Sequence, residues 1–121
     1  MQTTLLLADD DTELSGLLKE YFESEGFQVR LAPDGIAALE EARKPGLDLI
    51  VLDVMMPGIN GIELCERLRQ SGTTAKTPIV MLSAKEDVET QRDAIDAGAN
   101  IFVPKTKGID MLMNAVNQLL V

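Results

Sequence analysis

The chain has no histidine and only one cysteine, Cys65. These absences exclude an internal disulfide, a Cys/His zinc site, and catalysis by Ser-His-Asp or Cys-His groups. Cys65 falls on the apolar stripe of a predicted helix, which favours a buried small hydrophobe over a reactive thiol. Any chemistry of this protein must therefore come from other side chains.

Positive charge and long apolar runs are also scarce. Lys and Arg number 11 against 20 Asp and Glu, which gives a formal net charge of −9. Direct nucleic-acid binding needs a basic face, so we do not expect it of this domain. No apolar stretch approaches transmembrane length, and residues 1–4 are no signal peptide. We predict no membrane association and a cytoplasmic location.

The composition that remains is typical of a globular protein, with 45% hydrophobic and 26% charged residues among 121. There is no internal repeat, low-complexity segment or linker. Length and uniformity together predict a single domain over residues 1–121.

Short apolar runs alternate with helical stripes along the whole chain. The runs predict five strands, at residues 4–8, 27–31, 47–52, 78–82 and 101–103. The stripes predict five helices, from residue 12 to a stop at Gly26, then at 36–43, 62–70, 87–97 and 109–120. Such alternation predicts an α/β fold in three layers, a doubly wound (βα)5 arrangement with a five-stranded parallel sheet and helices on both faces.

The apolar patterns also predict which side chains are buried. In the second strand, Gln28 and Arg30 are expected to point outward and Phe27, Val29 and Leu31 inward. Residues 47–52 are apolar almost throughout, as in a central strand covered on both faces. The first helix has one apolar stripe, made of Leu14, Leu17, Leu18, Tyr21 and Phe22. The 87–97 helix is lightly apolar and therefore weakly anchored, with only Val88, Ala94, Ile95 and Ala97.

Polar residues of complementary chemistry follow four of the strands: the run Asp9-Asp10-Asp11, then Asp53, Ser83 and Lys105. Right-handed crossovers bring all these strand ends to one edge of the sheet, where open α/β folds bind ligands. Carboxylates gathered there repel each other unless a cation compensates them, and oxygen ligands suit Mg²⁺ or Mn²⁺. A lysine and a hydroxyl beside such a metal suit a phosphoryl group.

Each of these residues also has a structural interpretation, because Asp is favoured at the start of a helix. Asp11 is expected to fill that capping role for the first helix. Capping does not explain four strand-end residues of complementary chemistry taken together, so we favour a functional site.

The chain resembles a receiver domain of bacterial two-component response regulators, a fold of the chemotaxis-regulator type, from end to end. The matching segments are LLLADDD at 5–11, PDGIAAL at 33–39, LIVLDVMMPGINGIEL at 49–64, PIVMLSA at 78–84 and AGANIFVPK at 97–105. The resemblance implies a flavodoxin-like sheet with strand order 2-1-3-4-5.

The resemblance also implies a role for each site residue. Asp53 matches the phosphoacceptor, which attacks a phosphohistidine of a sensor histidine kinase or phosphotransfer domain, or a small acyl phosphate. Asp10 would bind Mg²⁺ directly and Asp9 through water, with Asp53 as a further ligand and the backbone carbonyl of Met55 as another. Lys105 would compensate the phosphoryl oxygens, and Ser83 would give a hydrogen bond.

A switch and its partners are implied as well. Phosphorylation would draw in Ser83 and its loop, and Phe102 matches the aromatic residue that turns inward, although it could equally be plain core. The 87–120 face would bind a downstream output domain or protein, and the resemblance also allows phosphorylation-dependent homodimerisation. Met55 and Lys85 match positions that tune phosphoryl lifetime, and an apolar Met55 predicts a long one.

The chain departs from the family where many receivers follow the lysine with a cis proline. Here Thr106 follows Lys105, so either this bond is trans and the loop differs, or a cis form is retained at a cost of several kcal/mol.

Three other functions are alternatives to the phosphorylation switch. A phosphorylation-independent interaction module is disfavoured because Asp10, Asp53, Ser83 and Lys105 are all present. A Mg²⁺-dependent aspartyl-phosphate phosphohydrolase would need an acid where Met55 stands, so we expect no enzyme acting on foreign substrates. A flavin-binding domain would need a phosphate-cradling loop after the first strand.

Overall fold

The computed structural model describes residues 2–120, so the predicted domain of 1–121 can be described except for its first and last residues. Five strands are present: β1 (Thr4–Ala8), β2 (Gln28–Ala32), β3 (Leu49–Asp53), β4 (Ile79–Ser83) and β5 (Ile101–Pro104). Five α-helices alternate with them: α1 (Thr12–Ser24), α2 (Gly35–Ala42), α3 (Gly61–Gln70), α4 (Val88–Asp96) and α5 (Gly108–Leu119). A short 3-10 helix, Lys105–Lys107, joins β5 to α5.

The strands form one parallel sheet in the order β2-β1-β3-β4-β5, which confirms the predicted fold and strand order. Register pairs Asp53 of β3 with Leu82 of β4, and Ser83 with Pro104 of β5. The carboxyl ends of the three strands therefore lie side by side. Within residues 2–120, no helix is both long and apolar enough to cross a membrane.

The core consists of two apolar clusters, one on each face of the sheet. Strands β1, β3 and β4 are buried over their whole length and supply side chains to both clusters. Helices α2, α3 and α4 cover one face, through residues such as Ala38, Leu64 and Ala94. Helices α1 and α5 cover the other, through Phe22 and Val116 among others. Burial of this kind contributes roughly 1.5–3 kcal/mol per large side chain.

Cys65 lies in the α2–α4 layer with no exposed surface. Burial raises the pKa of its thiol to about 11, and the thiol donates to the Ala97 carbonyl oxygen at 3.5 Å. A protonated, inaccessible thiol is not nucleophilic. The interpretation of Cys65 as a core residue is confirmed.

Local side-chain bonds start four of the helices. Asp11, Asp34, Asn60 and Asp87 each accept a hydrogen bond from the backbone N–H three residues later. Each bond satisfies a donor that the helix itself cannot pair. The expected cap by Asp11 is thereby confirmed, with its Oδ1 3.1 Å from the Leu14 nitrogen.

Two side chains predicted to face the core are exposed, Leu17 by 60% and Leu31 by 40%. Two of the few apolar side chains of α4 are exposed as well, Val88 by 70% and Ile95 by 48%. Leu31 belongs to the edge strand and lies at its carboxyl end, beyond full cover by the flanking helices. Leu17 lies on the margin of an apolar stripe that is wider than the surface α1 covers. In α4, only Thr90 and Ala94 are buried, which agrees with the expected weak anchoring of this helix.

The third strand begins two residues later than predicted. Asp48 bonds to the start of β1 without extending the β3 ladder: its Oδ2 accepts from the Thr4 N–H at 2.8 Å, and its own N–H donates to the Thr4 carbonyl at 2.9 Å. Leu47 is half-buried against the core.

Gly61, the first residue of α3, brings this helix into direct contact with the end of β3. Its N–H donates to the Val54 carbonyl at 2.9 Å. A Cβ on Gly61 would overlap the Asp53 carbonyl oxygen and lie 2.9 Å from the Val54 Cα. Only a residue without a side chain allows this approach.

We expect Gly61→Ala to lower the free energy of unfolding by about 1–3 kcal/mol, the range typical of overpacking, because backbone must shift to admit the methyl group. The matched control is Gly16→Ala in α1, where an added Cβ meets nothing within 4 Å. That control should gain roughly 0.5–1 kcal/mol. Urea unfolding followed by circular dichroism measures both, and equal effects of the two substitutions would contradict the close contact.

Candidate functional site

The four strand ends predicted from the sequence to carry the site lie at one edge of the sheet. Asp53 and Ser83 are the last residues of β3 and β4, while Asp9 and Lys105 come directly after β1 and β5. Asp9, Asp53 and Ser83 are buried, with exposed fractions of 1%, 3% and 0%. Buried polar groups at strand ends are held in place by the core beneath them.

Lys105 joins two of the buried carboxylates. Its Nζ lies 3.1 Å from Asp53 Oδ2 and 3.1 Å from Asp9 Oδ2. The contact with Asp53 is a hydrogen bond. The contact with Asp9 is an ion pair outside hydrogen-bond geometry, because Asp9 Oδ2 has no hydrogen-bond partner among the described residues. One ammonium therefore compensates two carboxylates incompletely.

Backbone N–H groups donate hydrogen bonds to the same two carboxylates. Asp9 Oδ1 accepts from the Asp11 N–H at 2.9 Å, and Asp53 Oδ1 accepts from the Met55 N–H at 3.2 Å. Hydrogen bonds to the charged form favour ionisation and fix the carboxylate orientation.

The carboxylates of Asp9, Asp10 and Asp53 are close enough to share one metal ion. One oxygen from each lies within 4.8 Å of the others, and Asp10 is exposed to solvent. A buried Asp9 oxygen that accepts no hydrogen bond within residues 2–120 and an all-oxygen donor set fit a hard divalent cation such as Mg²⁺. The acidic cluster could therefore bind the expected metal.

Burial and the neighbouring charges shift the pKa values of Asp53 and Lys105. Burial and the neighbouring Asp9 carboxylate raise the pKa of Asp53 from 3.8 to about 6, against the opposing attraction of Lys105. Burial also works against the Lys105 ammonium, but the combined attraction of Asp53 and Asp9 outweighs it and raises the lysine pKa. Lys105 therefore remains charged, and the pKa of Asp53, about 6, leaves this carboxyl mostly ionised at neutral pH.

Ser83 is close to the site in the fold but is not bonded to the acidic cluster. Its Oγ accepts from the Lys85 N–H at 2.9 Å. Among hydrogen bonds of residues 2–120, none joins Ser83 to Asp53 or Lys105. The hydroxyl proton of Ser83 is thus available for donation, while one lone pair is already engaged.

Met55 and Lys85 each lie two residues after a residue of the site, Asp53 and Ser83. Both are exposed, and they line a depression of about 390 Å³ together with Thr90 and Asp93. Phe102 is half-buried and packs against the α2–α4 side of the core. It therefore combines a core contact with partial access to solvent.

The Lys105–Thr106 peptide is trans, as are all peptide bonds of residues 2–120. The hydroxyl of Thr106 donates to Glu86 Oε1 at 2.7 Å. This bond connects the loop after β4 with the segment after β5. No sequence pattern indicated it, since neither residue belongs to an apolar period or to a motif.

Comparisons with known proteins agree with this geometry. A family model described as the response regulator receiver domain matches residues 5–117. The chain is 36% identical over 116 residues to the response regulator MprA of Mycobacterium leprae, covering 96% of this chain and 50% of that protein. Against MprA of Mycobacterium ulcerans the identity is 36%, over 99% of this chain and 51% of the relative. The chain spans about half the length of these curated relatives.

Solved structures give the same result. The chemotaxis protein CheY4 of Vibrio cholerae superimposes with a TM-score of 0.93 at 26% identity, covering 98% of this chain and 99% of that one. The Francisella response regulator 1452 receiver domain has a TM-score of 0.89 at 34% identity, over 98% and 96% of the two chains.

The raised pKa of Asp53 predicts that its ionised carboxylate destabilises the fold, and this can be tested. Because this pKa is raised on folding, the folded parent loses stability as pH rises from about 4 to about 6, then stays constant. Asp53→Asn removes the charge and keeps the shape. We expect equal stability near pH 4 and a gain of roughly 3 kcal/mol for the variant at pH 8, since the pKa rise is about two pH units.

Urea unfolding at several pH values, with a chelator present to remove divalent metal ions, measures this difference in the free energy of unfolding. Asp96→Asn, at an exposed position in α4, controls for general charge removal and should shift stability by less than about 0.5 kcal/mol. Mg²⁺ should stabilise the parent more than Asp53→Asn, which lacks one ligand. A variant less stable than the parent at pH 8 without metal would contradict the proposed repulsion.

Proposed function

The chain belongs to the response regulator receiver domain family, and from this kinship we propose that it is a phosphoacceptor switch of a two-component system, with Asp53 as the residue that becomes phosphorylated. One observation carries the proposal: a buried carboxylate at a strand end, bonded to Lys105 and grouped with the two other carboxylates, Asp9 and Asp10. Proteins of this family are signalling proteins and not classical enzymes. We propose that this chain catalyses only its own phosphorylation and dephosphorylation.

The reaction is a displacement at phosphorus. A carboxylate oxygen of Asp53 attacks the phosphoryl group, and the bond from phosphorus to the donor breaks, leaving its electron pair on the donor's imidazole nitrogen or acyl oxygen. Such transfer depends mainly on positioning and charge compensation. The Met55 N–H orients the Asp53 carboxylate. The Lys105 Nζ, which lies 3.1 Å from Asp53 Oδ2, would move its ammonium toward the oxygens of the incoming phosphoryl group.

Asp9, Asp10 and Asp53 would hold Mg²⁺ or Mn²⁺, with the Met55 carbonyl as a further ligand. The metal supplies positive charge that offsets the negative phosphoryl oxygens beside these carboxylates. Asp53 is then kept ionised and able to act as a nucleophile, although burial alone raises its pKa.

Phosphorylation would reach the surface through Ser83. Its free hydroxyl proton can be donated to a phosphoryl oxygen, which pulls the loop that also contains Glu86. Since Glu86 accepts a hydrogen bond from Thr106, this movement would also displace the segment beside Lys105 and the start of α5. We propose that Phe102 turns inward as the loop moves, and that the 87–120 face changes.

The proposed partners follow from the same premise. A sensor histidine kinase or phosphotransfer domain, or a small acyl phosphate, would donate the phosphoryl group in the cytoplasm. Because the curated relatives are about twice as long, an output domain or protein would receive the signal through the 87–120 face. A homodimer formed on phosphorylation is one form that this output could take.

We expect a single phosphoryl adduct when the protein is incubated with acetyl phosphate and Mg²⁺, detected by intact mass spectrometry. Asp53→Asn should give none, whereas Asp96→Asn should behave as the parent. Lys105→Ala should slow adduct formation by at least about tenfold, since an ion pair to the transferring group is lost. An adduct in Asp53→Asn would favour a phosphorylation-independent interaction module. The same conclusion would follow if the parent formed no adduct with acetyl phosphate and bound no beryllofluoride, a mimic of the phosphoryl group.

The exposed Met55 side chain leads to a second expectation. An apolar residue cannot orient a hydrolytic water, so the phosphoryl group on Asp53 should persist beyond seconds once acetyl phosphate is removed. Met55→Asn should shorten this lifetime by roughly tenfold, less than the roughly 10²–10⁴-fold of a general base, because an amide can orient the water but does not take its proton. Decay of the parent adduct within seconds would count against this role.

A further inference from the structure

Met55 is the most exposed methionine among residues 2–120, with 57% of its side chain open to solvent. Met111 of α5 is 43% exposed. The other three methionines of this range are buried, namely Met56, Met81 and Met113. Oxidation of a thioether to a sulfoxide requires an oxidant to reach the sulfur, so exposure decides which methionines of a folded protein react. The fold therefore offers two methionines to an oxidant and protects three.

The two exposed methionines lie in different surroundings. Met111 lines a mainly apolar depression between β5 and α5, to which no residue of the acidic cluster contributes. Met55 lines the depression of about 390 Å³ together with the charged side chains of Lys85 and Asp93. A sulfoxide is polar, and a lysine ammonium carries several N–H donors that can bind its oxygen. The surroundings of Met55 therefore suit the oxidised side chain.

The backbone of Met55 is held against the Asp53 carboxylate. The Met55 N–H donates to Asp53 Oδ1 at 3.2 Å, so the side chain of Met55 starts beside the carboxylate that we propose is phosphorylated. The sulfur is attached through a short, flexible stem. An oxygen added to this sulfur therefore comes within reach of a water molecule next to a phosphoryl group on Asp53.

We propose that Met55 is an oxidation site through which hydroperoxides shorten the lifetime of the phosphorylated state, a role that rests on the proposed phosphorylation of Asp53. The Met55 sulfur attacks a peroxide oxygen with its lone pair, so that an S–O bond forms as the O–O bond breaks. The sulfur is oxidised and the peroxide is reduced. The transferred oxygen gives up its proton to the leaving oxygen, which departs as water or an alcohol.

Oxidation changes what the Met55 side chain can do for a water molecule. A thioether sulfur is only a weak hydrogen-bond acceptor, so the unmodified side chain leaves a hydrolytic water without orientation. The sulfoxide oxygen is a polar acceptor that can hold such a water beside the phosphoryl group, while Lys85 can hold the sulfoxide in place. Oxidised Met55 therefore promotes the hydrolysis that the unmodified side chain does not assist.

Peptide mapping by mass spectrometry after treatment with hydrogen peroxide tests the site of oxidation. We expect one added oxygen on Met55 before any appears on Met56, Met81 or Met113, because the three are buried. Circular dichroism shows whether the treated protein is still folded. Oxidation of a buried methionine ahead of Met55 in folded protein would overturn the assignment.

The decay of the phosphoryl adduct tests the consequence. The parent is treated with peroxide or left untreated, phosphorylated with acetyl phosphate and Mg²⁺, desalted and followed by intact mass spectrometry. We expect peroxide to shorten the adduct lifetime by roughly threefold, less than Met55→Asn does, because the longer methionine stem orients a water less firmly. Methionine sulfoxide reductases acting on both sulfoxide epimers should restore the original lifetime.

Met55→Leu is the matched control, since it keeps an apolar side chain that cannot be oxidised and leaves Met111 reactive. Its adduct has a lifetime of its own, which peroxide should not change. Equal shortening in the parent and in Met55→Leu would overturn the role of Met55. An unchanged lifetime in parent protein that carries the sulfoxide at Met55 would also overturn it.

This role and the phosphoacceptor role of Asp53 can fail separately. If the parent forms no adduct with acetyl phosphate, the phosphoacceptor role fails and the effect on lifetime fails with it, whereas peptide mapping still decides which methionine is oxidised. If the adduct forms and decays at the same rate after oxidation of Met55, the phosphoacceptor role stands and the regulatory role of Met55 is overturned.

Discussion

The repulsion among Asp9, Asp10 and Asp53 is the constraint on which the rest of this structure depends. Lys105 compensates it only in part, since one ammonium serves two buried carboxylates and leaves Asp9 Oδ2 without a hydrogen bond. A fold selected for stability alone would avoid such a cluster. The cluster persists because strands β1 and β3 are buried throughout and hold their ends rigidly. The core thus sustains a charge arrangement that a bound cation can relieve.

The surrounding backbone is fitted to the same purpose. Gly61 lets α3 approach the carbonyl of Asp53, and the Met55 N–H orients its carboxylate. The first contact comes from the first residue of α3, and the second from the loop between β3 and α3. The nucleophile Asp53 is therefore held through its main chain as well as its side chain, so its position does not depend on Lys105. The Lys105 ammonium can then move toward the oxygens of an incoming phosphoryl group.

The sequence was sufficient for the fold because local signals agree with one another. Strand runs, helix stripes and caps such as Asp11 each indicated the same elements, and strand-end chemistry placed Asp53 and Lys105 on one edge. Exposure at margins was mispredicted: Leu17 and Leu31 are apolar, but period alone does not show how far a neighbouring helix covers them. The Glu86–Thr106 bond also depends on tertiary placement, which no single-sequence pattern contains.

The two ends of α4 are held very differently, and this asymmetry defines how the proposed output face can move. At its carboxyl end, Arg69 of α3 donates to the Gly98 carbonyl at 3.0 Å and to Asn100 Oδ1 at 2.9 Å. The same guanidinium also donates to the Thr77 carbonyl before β4 at 2.6 Å. The amino end has its cap and the exposed Glu86–Thr106 bond. A pull on the Ser83 loop would therefore displace the start of α4 while its end stays fixed, so that the helix pivots and does not slide.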